Sequence, residues 1–283
     1  MNFHTKPTTF VSHVTIKVEN LEQSLTFYKE ILGFQILDQS TEKASLTTDG
    51  KTTILSLEQP TDVIPKQYRT TGLYHFAILL PKRSDLALIV QHLLQNGIRF
   101  GSSDHLVSEA LYFEDPDGNG IEIYVDRVPS EWQWNAGTVN MTVDPLNFED
   151  LMRTAEQGEK WTKMPEGTVM GHIHLHVSEL KNTETFYVKG LGLDTVCRYG
   201  NQALFLSSGG YHHHIGVNTW NGVGAPTPPQ NSVGLYSFTL NYPTVEARDN
   251  AIENLKQLGY NSENINNQLI THDPSGNRIV LTV

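Results

Sequence analysis

Histidine is the side chain of this protein best suited to chemistry, because imidazole both ligates metal ions and exchanges protons near neutral pH. There are 12 histidines and one cysteine, Cys197. A metal site must therefore be built from imidazole and carboxylate, and neither an intrachain disulfide nor a cysteine-based zinc site can form. The histidines are clustered. Gly171 to Val177 reads Gly-His-Ile-His-Leu-His-Val. As a strand it would place His172, His174 and His176 on one face and Ile173, Leu175 and Val177 on the other. A second cluster, His212, His213 and His214, sits between Tyr211 and Ile215. Earlier in the chain His75, His105, Tyr112 and Glu122 interrupt segments that are otherwise apolar. An inward carboxylate such as Glu122 is costly to bury unless it is paired or bound to a metal.

The elements that must position these residues recur along the chain. His13 to Val18 alternates like a strand, and Leu21, Leu25, Tyr28, Ile31 and Leu32 fall at helical spacing before Gly33. Three short runs follow, at 34–37, 44–47 and 53–57. The order strand-helix-strand-strand-strand then returns: a strand at 73–80, an amphipathic helix at 85–96, and later strands at 111–113 and 121–125 around an Asp-Pro-Asp-Gly-Asn turn. The second half repeats the first. His13, Leu21, Phe27, Tyr28 and Gly33 match His172, Leu180, Phe186, Tyr187 and Gly192, and Asp115-Pro116 and Gly118-Asn119 match Asp273-Pro274 and Gly276-Asn277. The sequence thus implies four copies of one βαβββ module. Residues 1–128 hold two of them (about 10–58 and 72–126), 129–169 form a connecting segment with a helix expected near 147–157, and 170–283 hold two more (about 170–219 and 233–283).

Where equivalent positions differ, function is expected. The first strands carry His13, His75, His172 and Ser237, and the last strands of the second and fourth copies carry Glu122 and Val280. The fourth copy has lost both polar groups, which suits a supporting role. His172 occupies the position of His13 and His75, whereas His174 and His176 correspond to Thr15 and Lys17, so His172 is the candidate ligand of its stretch.

The pattern resembles the vicinal-oxygen-chelate superfamily, which includes glyoxalases, bleomycin-resistance proteins and extradiol dioxygenases. More particularly it resembles bacillary catechol-2,3-dioxygenase-like proteins through Thr-Gly-Leu-Tyr-His-Phe-Ala-Ile, Val-Ser-Glu-Ala-Leu-Tyr, Asp-Pro-Asp-Gly-Asn-Gly-Ile-Glu-Ile-Tyr, Gly-His-Ile-His-Leu-His-Val and Gly-Gly-Tyr-His-His-His-Ile-Gly. The resemblance implies an α+β fold of four βαβββ modules in two paired half-barrel domains. It also implies Fe(II), with Mn(II) as the alternative, held by His75, Glu122 and His172 as two histidines and a carboxylate. On the same resemblance His213, on the third module's last strand, is a catalytic base, and Tyr112, ten residues before Glu122, contacts substrate. His105 lies two residues from the spacing of a further family histidine. The implied activity is O2-dependent cleavage of a small aromatic diol, as in aromatic hydrocarbon catabolism; a non-redox glyoxalase-type lyase or isomerase and a non-catalytic ligand-sequestering protein are the competing functions. Because the usual order of modules is altered, copies two and three are expected to pair around the metal. The rival pairing of copies one and two would make His13 the first ligand.

Lys+Arg 20 against Asp+Glu 31 gives a net charge of -11, which argues against nucleic-acid or anionic-membrane partners. With no signal-like N-terminus and no long apolar run, a cytoplasmic protein is expected, and homodimer formation is compatible with the family.

Overall fold

The computed structural model describes residues 2–283. The first unit opens with β1 (Phe10–Lys17) and α1 (Leu21–Thr26), which Asn20 caps by accepting from the Gln23 N–H. The helix widens into a π turn over Phe27–Ile31 and ends at Gly33, φ +85°. Gly33 is needed twice over, since a Cβ there would also lie 2.7 Å from the Lys163 Cα of the connecting segment. The meander is β2 (Gln35–Gln39), β3 (Lys43–Thr47) and β4 (Thr53–Glu58). The second unit comprises β5 (Gly72–Leu79), α2 (Arg83–Gln95), β6 (Gly101–Asp104), β7 (Ser108–Glu114) and β8 (Gly120–Asp126).

The connection carries a small hairpin, β9 (Trp134–Asn135) with β10 (Thr138–Val139), and α3 (Phe148–Met152). The helix expected over 147–157 is only five residues long. Of its residues Leu151 alone is buried, and the Arg-Thr-Ala-Glu-Gln that follows offers little apolar surface to stabilise further turns. The third unit is β11 (Val169–His176), α4 (Leu180–Thr185), β12 (Asp194–Tyr199), β13 (Ala203–Ser207) and β14 (Ile215–Asn218). The fourth is β15 (Gly234–Asn241), α5 (Val245–Gln257), β16 (Ser262–Ile265), β17 (Gln268–His272) and β18 (Arg278–Thr282).

These strands form two curled eight-stranded sheets, β16-β17-β18-β15-β1-β4-β3-β2 and β12-β13-β14-β11-β5-β8-β7-β6. Within each unit the first and last strands run parallel, and units join through antiparallel pairing of their first strands, β1 with β15 and β5 with β11. The first unit therefore shares a sheet with the fourth, and the second with the third. The fold is α+β, built from paired βαβββ modules. Val14, Ile16, Phe76, Ile78, Ile173, Leu175, Phe238 and Leu240 from the central strands all contribute to one core with the helices. Among the described residues no helix is long and apolar enough to cross a membrane.

Units adjacent in sequence are tied across the two sheets by a repeated turn. The Asp115 carboxylate accepts from the N–H groups of Asp117 and Asn119 and from Tyr28 Oη at 2.9 Å, where Tyr28 belongs to the first unit's π turn. Asp273 does the same with Ser275, Asn277 and Tyr187 Oη, the last at 3.0 Å. Each buried tyrosine thus satisfies a buried carboxylate that also shapes its own turn. Replacement of Asp273 by Ala strands the Tyr187 hydroxyl and frees the turn, so it should cost about 3 kcal/mol. The urea midpoint of the purified variant, with an unchanged slope, checks this.

Candidate metal centre

The register of the second sheet explains how four distant residues meet. Tyr112 on β7 faces Glu122 on β8, Glu122 pairs with Ala77 on β5, and Ala77 pairs with His172 on β11. The ten-residue spacing from Tyr112 to Glu122 is simply the span of the β7–β8 hairpin. His75 lies two residues from Ala77 and so points to the same face. Adjacent strands are about 4.8 Å apart, which leaves Glu122 and His172 roughly 9.6 Å apart at the backbone. They reach each other because the residue between them is alanine. Ala77, fully buried, leaves the space over which Glu122 Oε2 and His172 Nε2 come to 3.0 Å.

His75 Nε2 stands 3.0 Å from the same Glu122 Oε2, yet it is not aligned for a hydrogen bond and has no other partner. His75, Glu122 and His172 each offer one donor atom, all within 4.8 Å of one another, and all three side chains are buried. Metal–ligand bonds of about 2.1 Å at right angles place neighbouring donor atoms about 3.0 Å apart, so the set has the spacing of ligands around one divalent ion. Burial pushes the Glu122 carboxyl up, but the proximity of His172, which hydrogen-bonds it, and of His75 prevails and holds it well below the usual carboxylate range. The carboxylate is ionised, as a ligand must be. Burial likewise holds His172 below its ordinary value. An orphaned ring nitrogen, a buried carboxylate and a second imidazole converging on one point fit a metal ion.

His213 packs against this set, its ring centroid 4.1 Å from that of His172. Its protonation pattern is fixed from the far side. Asp126 Oδ1 accepts from His212 Nε2 at 2.8 Å, which leaves His212 Nδ1 unprotonated and able to accept from His213 Nδ1, also at 2.8 Å. His213 then carries its lone pair on Nε2, for which no protein partner exists among the described residues. Burial, reinforced by neighbouring imidazoles, holds His213 well below its ordinary value and keeps it neutral. Sequence reasoning put His212, His213 and His214 on the last strand. In the structure they form a turn ahead of β14, because Gly209 and Gly210 (φ +66° and +78°) reverse the chain there and the rings pack inward. On the opposite flank His105 donates from Nδ1 to the Thr142 carbonyl, 2.6 Å, so its Nε2 must accept from Tyr112 Oη, also 2.6 Å. His13 is elsewhere, on β1 of the first sheet, bonded to Ser56 Oγ at 2.8 Å and held down to about 4 by burial.

Residues 11–123 match the model of the Glyoxalase/Bleomycin resistance protein/Dioxygenase superfamily. Over 269 residues, 94% of each chain, the protein is 45% identical to a catechol-2,3-dioxygenase of Bacillus subtilis. The chain belongs to this superfamily. A biphenyl-2,3-diol 1,2-dioxygenase of Rhodococcus globerulus is 29% identical over 50% of this chain and 82% of its own. In fold, the superfamily member described here superposes on maize glyoxalase I with a TM-score of 0.59 at 17% identity, covering 96% of this chain and 92% of that one.

Several residues that shape this candidate site escaped the sequence analysis. Tyr124 and Asp126 follow Glu122 at a spacing of two and share its face, a signal legible in the sequence. The Tyr124 hydroxyl meets Tyr211 Oη at 2.7 Å and lies where a side chain at residue 171 would be: a Cβ on Gly171 would sit 2.1 Å from it. His4, from the segment before β1, donates to the Gly171 carbonyl at 2.8 Å, and no periodicity announces it. His174 is enclosed by Tyr74, His75, Phe205 and Trp220 and packs on Gly216, where a Cβ would lie 2.8 Å from its ring. Ala77→Val should therefore break the Glu122–His172 contact while costing only about 1–3 kcal/mol of stability. Isothermal titration with a divalent ion should show at least about a tenfold loss of affinity in the folded variant.

Proposed function

We propose that the protein is an Fe(II)-dependent extradiol dioxygenase that cleaves the ring of a catechol with O2, with Mn(II) as the alternative metal. The observation that carries this reading is the Glu122 carboxylate set between His75 and His172, in a chain so similar to a named catechol-2,3-dioxygenase. Fe(II) bound there would hold both oxygens of the diol beside O2 and pass electron density between them, the chemistry of two histidines and one carboxylate with open positions.

The protein's own groups manage the protons. A catechol has two hydroxyl protons to lose before both oxygens bind a metal strongly. His213 Nε2, unprotonated, accepts one. The imidazolium so formed is steadied through His212 by the Asp126 carboxylate, which orients both rings without itself entering the site. Tyr112 gives its only proton to His105, so its oxygen is an acceptor toward the site, next to Glu122 and His75. It orients a substrate hydroxyl and can hand its own proton to His105 as it takes the substrate's. Burial first, then the Glu122 charge, pushes the Tyr112 hydroxyl well above its ordinary value, so it does not stay ionised.

Iron-loaded protein should consume O2 with catechol and form a yellow ring-opened product. Glu122→Ala should abolish this. His213→Ala should lower kcat about 100- to 10,000-fold with a much smaller change in KM, the effect of losing a base rather than a binding group. Silence of the iron-replete protein across a broad panel of catechols, read with an oxygen electrode, would sink the proposal.

A further inference from the structure

The cavity beside the candidate metal centre is unlike the rest of the molecule. Its volume is about 880 Å³, near the upper end for a small-molecule pocket and more than an unsubstituted catechol needs. His75 and Tyr112 line it on one side. On the other lie the matching ends of the first sheet, including Lys17 at the end of β1 and Arg278 at the start of β18. The segment joining the first unit to the second and the segment joining the third to the fourth wall it in. They are bound to each other through Ile64 N–H to Asn231 O, 3.0 Å, and Thr71 N–H to Pro226 O, 2.9 Å.

Four basic side chains line this space, Lys17, Lys66, Arg69 and Arg278, against one carboxylate, Glu114. In a chain of net charge -11 that concentration is not a matter of composition. Among the described residues none of the four takes part in a salt bridge. Lys17, buried at 6% exposure, donates to the Gln230 carbonyl at 2.5 Å, and Lys66 donates to the Gly118 carbonyl. Arg278 is the most informative. Its guanidinium lies 4.7 Å from the centre of the Tyr236 ring, its Nη1 donates to the Tyr236 hydroxyl at 2.7 Å, and its Nε is buried with no partner. A buried donor on a cation, facing no acceptor, is costly to leave unmade. The planar fork of arginine suits the two oxygens of a carboxylate.

We infer that this cavity binds the carboxylate of a substrate whose catechol ring carries an acidic side chain, and that Arg278 is the residue that recognises it. The inference rests on the ring-cleavage reading above and names its substrate class. It also gives the first sheet a task. The fourth unit carries Ser237 and Val280 where the second holds His75 and Glu122, yet it supplies Arg278 two residues before Val280.

The test uses iron-loaded protein under anaerobic conditions, titrated calorimetrically with dihydroxyphenylpropanoic acid, its methyl ester and catechol. The acid should bind at least about tenfold tighter than the ester, and added salt should erode that margin. In Arg278→Gln the acid-to-ester ratio should fall to about one, whereas Arg278→Lys, which keeps the charge without the fork, should retain part of it. Because each ratio is taken within one protein, partial misfolding of a variant does not mimic the effect. Equal binding of acid and ester by the unaltered protein, or a ratio untouched by Arg278→Gln, overturns the inference. Oxygen uptake by the same samples reports on the other reading separately. Preference for the acid with no uptake from any of the three retains the anion site and defeats ring cleavage, and uptake from all three with no preference does the reverse.

Discussion

The structure depends most on the burial of one carboxylate. Glu122 is 3% exposed in the middle of the second sheet, where an ionised group without compensation would not be tolerated. Two imidazoles answer it, and each arrives from a different strand, His75 from β5 and His172 from β11. Those strands belong to different units and adjoin only because the second and third units share a sheet. The requirement to neutralise Glu122 and the unusual pairing of units are therefore two descriptions of one arrangement. The fully buried Ala77 is its smallest part, since any larger side chain there would hold the carboxylate and His172 apart.

Around this centre the polar groups are organised by direction of hydrogen bonding. On one side a carboxylate orders His212 and, through it, His213. On the other a backbone carbonyl orders His105 and, through it, Tyr112. Each chain begins with a group that can only accept and ends with an unprotonated atom or an acceptor oxygen at the site. An imidazole with a single ring proton can carry it on either nitrogen, so Asp126 and Thr142, outside the candidate ligand set, decide which atoms face the site. The apolar face of the same sheet packs into the core shared with the other sheet. The rows of side chains are thus held rigid from behind.

Much of this was legible in the sequence, for a physical reason: strands alternate. The repeat in residue types at nearly constant offset revealed four units, and substitution of His13, His75, His172 and Ser237 at one position singled out where the units differ. His75, Glu122 and His172 stood out as polar residues in apolar strands, and the resemblance to the superfamily implied that they form one set. What was not legible depends on contacts between segments with no common period. His4 reaches the site from outside any unit, and the connection at 208–214 that carries the histidine triplet ahead of β14 is longer than its counterpart at 48–52 in the first copy. Asp126 and Tyr124 were within reach, being spaced by two from Glu122, but alternation marks a face and does not say which of its residues will meet a partner 86 or 87 positions away. The role of the fourth unit was hidden by its losses at Ser237 and Val280, which drew attention from the unpartnered Arg278.

The central claim is that the second and third units jointly build one metal site around Glu122. Anomalous diffraction at the iron edge, from crystals of the iron-loaded protein, tests it most directly. The account predicts a single strong peak within bonding distance of His75 Nε2, His172 Nε2 and a Glu122 carboxylate oxygen. A peak beside His13, or none between β5, β8 and β11, would contradict it.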